Sequence, residues 1–264
     1  MRGVTESRPM LSQPASREVQ SVRTAFRIVS LIQDLDGAKM NDLAEHLDLA
    51  KSTVHNYLGT LQSLGYVVER DGTYRLGLRF LTNGMAARHG LAVREAVTQA
   101  LPGVAADLSR SVWWIVEEQG RGVFVDHATP DGDDPIYGRV GKRSYLHTHA
   151  PGKALLAAVP SETVEAVLDH HGLRAQTRET TTDRAAIRAE LEDIRTRGFA
   201  ASSGEAALGI HSVGVAFDGP AGYNHALGVF GLTHEFGAHT EERVSAVLES
   251  TVTDLEAQFA AEAV

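Results

Sequence analysis

The sequence predicts an α+β chain: a small helical module closed by a β-hairpin, a linking helix, and a larger mixed α/β domain. Three observations carry this. Apolar residues recur at helical spacing through three successive segments between 17 and 64. Two short β-prone runs flank Asp71-Gly72, a dipeptide suited to a tight hairpin turn. From Ser111 onward, β-prone runs mix with helical segments over a length suited to one further domain. With 264 residues and 43% hydrophobic content, the chain can bury two modest cores.

In chain order, residues 1–16 lack an apolar stretch and read as a disordered tail, not a signal peptide. The first helix spans 17–36, with Val22, Ala25, Phe26, Val29, Ile32 and Leu35 on one face, Ser16 as N-cap and Gly37 as stop. A short second helix starts behind Asn41 and buries Leu43, Ala44 and Leu47. The third turns Val54, Tyr57, Leu58, Leu61 and Leu64 inward and ends where Gly65 supplies a left-handed cap. "YVVER-DG-TYRLG" follows as a hairpin, completing the order of a winged helix-turn-helix over 17–80. Residues 78–110 read as helical with breaks at Gly84 and Gly90, and 81–91 serve as linker. In the domain from 92 to 264, "SVWWIVEE" and "GVFVDHAT" form a hairpin around Gly120-Arg121-Gly122. Helices are expected at 151–159, 162–171 and 183–197, strands at 213–217 and 225–232, and a last helix from Thr240.

Composition narrows the class. No apolar run approaches the roughly 18 residues that span a bilayer. Without cysteine there is neither a disulfide framework nor a thiolate metal site. A cytoplasmic protein is expected. The net charge of −9 argues against a nucleic-acid partner until its distribution is counted. Residues 17–80 carry eight basic and eight acidic side chains and residues 1–16 sum to +1, leaving −10 beyond residue 80. Only four of the 25 basic residues are lysine. That bias fits a salt-loving source or a GC-rich genome.

In a helix-turn-helix the third helix is held by its apolar side while its first turn and outer face meet the duplex. Those positions are Lys51, Ser52, Thr53, His55 and Asn56, with Thr60 further along. Hydroxyls and a helix N-terminus suit phosphate, and Asn suits an adenine edge in the major groove. Arg70 and Arg75 flank the wing, within reach of backbone or minor groove, and Arg75 is expected to contact the duplex. A solvated polar face, or a winged helix used for protein contacts, are the competing readings.

Residues 21–83, with "SVRTAFRIVSLI", "MNDLAEHLDLAKSTVHNYLGTLQSLGYV" and "YRLGLRFL", resemble the N-terminal domain of the IclR family of transcriptional regulators. "YLHTHAPGKALLAAVP" and "IRTRGFAASSGEAALGIHSVGVAFDGPAG" resemble its C-terminal effector domain. The resemblance implies a homodimer or homotetramer that binds double-stranded operator DNA under the control of a small-molecule effector. The family commonly has Arg where this chain has Asn56, which removes a cation from the recognition helix.

The resemblance also places an effector. In the family a small carboxylate sits at the start of the helix after the "LH" strand, here Thr148-His149-Ala150-Pro151-Gly152-Lys153. Matching positions are Ala150 and Gly152 at that helix, Ser202, Ser212 and Phe230 beyond it, and Ile136 and Ser144 on the apolar wall. Pro151 has no N–H, and Gly228 and Phe230 replace polar anchors. With so few donors, an aromatic or less polar effector is expected in preference to glyoxylate or pyruvate. A filled pocket is the alternative.

Other motifs are weak. His147, His149, His211 and His225 suggest a metal, yet HxH spacing alone is poor evidence, and no metal or cofactor is expected. "GKA" at 152–154 lacks the residues of a phosphate loop, and no G-x-S-x-G elbow exists. Asp126 and His127 should point to opposite faces of a strand, and so should Trp113 and Trp114, which cannot both face one core. Burial is the commoner outcome for a tryptophan, and exposure of one at a subunit contact or pocket rim is the alternative. The rival from another class is a small-molecule or metal-binding enzyme or sensor with a protein-binding winged helix.

Overall fold

The computed structural model describes residues 10–11, 17–130, 134–220 and 224–262. The chain divides into two compact units, Gln13–Gly90 and Leu91–Val264, the second also holding Met10 and Leu11.

The first unit contains α1 (Gln20–Asp34), β1 (Ala38–Lys39), α2 (Met40–Leu47), α3 (Lys51–Ser63), β2 (Val67–Arg70), β3 (Thr73–Leu76) and α4 (Arg79–His89). Ile28, Val29 and Ile32 of α1 meet Leu43 and Leu47 of α2 and Val54, Leu58 and Leu61 of α3 in one core. The expected apolar face of α1 divides. Val29 and Ile32 are buried, whereas Val22 and Phe26 are more than half exposed. Leu64 is likewise exposed, not inward. The expected cap Ser16 lies outside the described residues. The start of α2 falls two residues earlier than expected, behind Lys39 and not Asn41, and Asp42 accepts the Lys39 N–H at 3.3 Å. At the end of α3, Gly65 takes φ +75 and Tyr66 N–H returns to Leu61 O, so the left-handed cap forms. Asp71 and Gly72 both have positive φ, and β2 pairs with β3 in register around them. The two-residue β1 adds a third strand beside β3. Gly84 does not break α4; the helix ends at Gly90.

The second unit contains α5 (Arg94–Leu108), β4 (Val112–Glu118), β5 (Arg121–Ala128), β6 (Arg143–Tyr145), α6 (Ala150–Ala157), α7 (Ser161–His171), α8 (Arg184–Arg197), β7 (Ala200–Ser203), β8 (Ile210–Asp218), β9 (Asn224–Leu232) and α9 (Ala238–Glu262). Its six strands run in the order β6-β5-β4-β9-β8-β7, every pairing antiparallel. The β4–β5 turn is made by Gln119 and Gly120, one residue before the expected Gly120-Arg121-Gly122. Helices α5 and α9 bury one face of this sheet; α6, α7 and α8 bury the other. Two cores result, so the adjacent tryptophans can face opposite sides of the strand without either being left at the surface. Trp113 and Trp114 are both fully buried, one in each core. Most of the tail 1–16 lies outside the described residues. Met10 and Leu11 do not follow the disordered expectation: Met10 is 2% exposed in the core beneath α6, with Leu11 packed beside it.

Candidate functional site

Two sites follow from the sequence, one in each unit. On α3, Lys51, Ser52, His55 and Asn56 are exposed and Thr53 is half-buried, while Val54, Leu58 and Leu61 hold the opposite side down. No side chain caps the first turn of this helix, so its N-terminus stays open towards solvent anions. Thr60 turns its hydroxyl back to Asn56 O at 2.9 Å. Arg75 is committed to the α1–β1 turn, donating to Asp36 O at 2.6 Å, and so stiffens the wing. Arg70 is exposed at the end of β2.

In the second unit, the first turn of α6 lies directly on the sheet. A Cβ on Gly228 or Gly214 would collide with Pro151, and one on Gly152 with the backbone of Leu146. Glycine at these positions is therefore a condition of the close approach. The positions 202, 212 and 230 form one row across β7, β8 and β9. Ser212 Oγ accepts the Ala150 N–H at 3.1 Å, and His149 Nδ1 accepts the Gly152 N–H at 3.1 Å. Burial, aided by Lys142, His147 and Lys153, holds the His149 imidazole down to about 3. Neutral and accepting at Nδ1, the ring carries its proton on Nε2, which donates to Ser144 Oγ at 2.6 Å. Ser144 in turn donates to Gly122 O at 3.1 Å. The chain's own groups thus satisfy the donors that an anion would use here.

Ser202 has a different partner from the one expected. Its hydroxyl donates to Glu205, which also takes the Thr181 N–H and pairs with Lys153 at 2.5 Å. Lys153, 1% exposed, bridges onward to Glu190 at 2.7 Å. Burial alone would raise the Glu205 carboxyl; Lys153 and the two donors hold it below the usual range. Ser202 belongs to this buried ion cluster, which ties α6 to α8.

Over the α6 side of the sheet lies a cluster of rings. Phe124 meets Trp113, Phe230 and His149 at 5.1, 5.8 and 5.7 Å between centroids. Tyr137 stacks on Phe230 at 4.8 Å, and Lys142 Nζ sits 3.5 Å from the Tyr137 centroid. Ile136 is half exposed and, with Phe230, lines an outer cavity of about 230 Å³ that also touches Arg110 and Glu235. Tyr137 and Lys142 were not found by sequence reasoning. Phe230, on which Tyr137 stacks, is 93 positions away, and no local pattern marks such a contact.

The remaining candidates separate. His147 binds Arg174 O, His211 stacks on Phe236 beside Glu241, and His225 meets Trp114 and Phe217. His147 and His149 sit on a single 3-10 turn and a helix cap, not on a strand. His211 and His225 belong to the opposite sheet face, so they do not approach the α6 pocket. No group of three metal-ligating side chains converges among the described residues. Asp126 faces Thr98 of α5 while His127 stacks on Trp113, on opposite sides as expected.

Comparison with known proteins places these features in a lineage. A family model described as the bacterial transcriptional regulator IclR C-terminal domain matches residues 85–257, and the IclR helix-turn-helix domain matches 21–71. The HTH-type transcriptional regulator Rv1719 of Mycobacterium tuberculosis is 32% identical over 76% of this chain and 78% of its own. A probable HTH-type transcriptional regulator, ArcR of Halobacterium salinarum, is 27% identical over 77% and 79%. An IclR homologue from Microbacterium hydrocarbonoxydans, solved in complex with 4-hydroxybenzoate, shares the fold with TM-score 0.69 at 21% identity, over 89% of this chain and 99% of its own.

Proposed function

The chain belongs to the IclR family of DNA-binding transcriptional regulators, and from that premise we propose that it controls a metabolic operon in response to a small organic effector. The family consists of regulators, not enzymes, so the rival enzymatic reading is set aside. The observation that carries the proposal is the exposed row on α3. Lys51, Ser52 and Thr53 would take phosphates, His55 and Asn56 would read base edges, and Arg75 would steady the wing.

A homodimer is the form proposed to engage the operator, with a tetramer built from two such pairs. The support is an apolar groove of about 580 Å³ in the first unit, lined by Val22, Phe26, Leu64, Tyr66 and Phe80. Exposed Leu78 and Leu81 extend the apolar surface of that unit, which is large for a face left in water. No described helix is long and apolar enough to cross a membrane. The proposed place of action is the cytoplasm, where operator DNA lies.

For the effector, the satisfied N–H groups at the start of α6 favour an aromatic or weakly polar molecule over a two-carbon keto acid. Phe230 and Phe124 supply ring surface, and 4-hydroxybenzoate bound to a structural neighbour makes it a sensible first probe. Selection of bound genomic fragments by the purified protein tests the first claim. Enrichment of a repeated, two-fold symmetric sequence is expected; indifference to every duplex at moderate salt would sink it. Calorimetry tests the second. Glyoxylate or pyruvate binding tighter than about 100 µM, near −5.5 kcal/mol, would contradict the effector assignment.

A further inference from the structure

Between β5 and β6 the chain passes over the ring cluster, and its residue 137 occupies an unusual place. Tyr137 is flanked by Phe230 on one side, 4.8 Å away and inclined by 28°, and by the ammonium of Lys142 on the other, 3.5 Å from the ring centroid. Phe124 meets its edge at 6.2 Å. A ring held between a cation and a second ring is the arrangement by which proteins grip aromatic ligands. Here the chain has supplied the ring itself.

Three further facts point the same way. Among the described residues Lys142 has no carboxylate partner; its neighbours are two ring faces, Arg139 and the neutral His149. Burial and Arg139 together draw its pKa down to about 8, the behaviour of a cation short of a counter-charge. At the far end of the pocket the α6 donors are already taken by Ser212 and His149, so a ligand carboxylate finds its complement at Lys142 instead. Finally, among the described residues the anchors of this segment lie on the C-terminal side of Tyr137. Gly138 lies against Trp113 and Phe124 with no room for a Cβ, and Gly141 and Lys142 hydrogen-bond to Phe124. On the other side, Asp134 and Ile136 are exposed. Tyr137 can turn outward past Ile136 while its C-terminal anchor stays in place.

We propose that Tyr137 is a built-in, displaceable occupant of the effector pocket, and that an aromatic monocarboxylate binds by taking its place between Phe230 and Lys142. This rests on the effector-domain reading above and specifies how that site is regulated. In the closed state the pocket is self-filled, so the apparent affinity for a ligand is reduced by the small fraction of molecules with Tyr137 turned out.

The probes are p-cresol, which is the tyrosine side chain as a free molecule, and p-toluate, its carboxylate counterpart. In calorimetry, Tyr137→Ala should bind p-toluate at least tenfold more tightly than the unaltered protein, and more tightly than it binds p-cresol. Adding Lys142→Met should erase the preference for p-toluate. Equal p-toluate affinity with and without Tyr137, including no binding in either, would overturn the proposal. Should Tyr137→Ala fail to fold, the unaltered chain labelled with 3-fluorotyrosine gives the answer. The resonance absent in Tyr137→Phe should move to a solvent-exposed shift as p-toluate is added, and a resonance that stays still defeats the idea. Duplex binding by the same preparations separates the two readings. Intact DNA binding with unchanged p-toluate affinity removes only the displaceable ring, whereas loss of all DNA binding removes the regulator assignment.

Discussion

His149 shows how far a single side chain can depart from what its sequence position suggests. Two histidines two apart read as strand residues or metal ligands; here one caps a helix and the other meets a carbonyl. The consequence is a pH dependence. His149 and His225 are both held by burial to about 3, against an ordinary value of 6.5. Between those limits the unfolded chain binds more protons than the folded one, so stability is complete above about pH 6.5 and falls as pH drops below it. At about 1.4 kcal/mol per pKa unit, the two sites together amount to several kcal/mol as an upper bound. The groups facing His149 are Lys142, His147 and Lys153, all adding to the cost of its protonation; His225 faces Trp114 and Phe217. Thermal melts from pH 7.5 to 4.5 should show the fall. His149→Asn, which keeps an acceptor for Gly152, should flatten roughly half of it; an unchanged slope would assign the acid sensitivity elsewhere. Gly228 is a second case. From sequence its lack of a side chain reads as a lost polar anchor, but Pro151 fills the space in which any anchor would stand. Gly228→Ser should therefore destabilise the second unit by about 1–3 kcal/mol through overpacking, measured by urea unfolding, and should not create an effector contact.

At the scale of elements, most of the first unit was legible. Helical spacing, Gly65 and Asp71-Gly72 are local signals, and local signals survive folding because each acts within a turn or two. What escaped was whatever depended on a distant partner: β1, only two residues long and defined by its pairing to β3, and the fate of Phe26, whose periodicity says apolar face but not what covers it. In the second unit, the row of Ser202, Ser212 and Phe230 was legible through family resemblance, while the ion cluster that claims Ser202 was not. Lys153, Glu190 and Glu205 lie far apart in sequence, and their union exists only when α6, α8 and the segment before β8 come together. Glu205→Gln should cost about 3–5 kcal/mol, because it leaves the Lys153 charge buried with half its counter-ions. For α3, the spacing of polar residues predicts two distinct losses. Asn56→Ala should relax base preference at one operator position by about 1–3 kcal/mol, whereas Lys51→Ala should weaken all duplexes alike and reduce the salt slope by about 1. Equal behaviour of the two variants in salt-dependent titrations would undo the division of roles.

On the scale of the whole molecule, charge and apolar surface are divided between the units. The −10 beyond residue 80 contrasts with a neutral stretch from 17 to 80, which leaves the first unit able to meet a polyanion. The same unit carries the exposed apolar groove, and Phe26, 61% exposed, is its most accessible ring. Phe26→Glu should shift the chain towards monomer in sedimentation and lower operator affinity while leaving unfolding of the second unit unchanged. Sedimentation unchanged from that of the unaltered chain would remove this groove as the proposed subunit contact.

The adjacent indoles have a practical consequence of their own. Because the sheet sends Trp113 to the ring cluster and Trp114 to the opposite core, the chain carries two natural emitters that report on two separate interiors. With Trp114 replaced by Phe, the remaining fluorophore lies against Phe124 and His127, and its quantum yield becomes an optical gauge of events on that side alone.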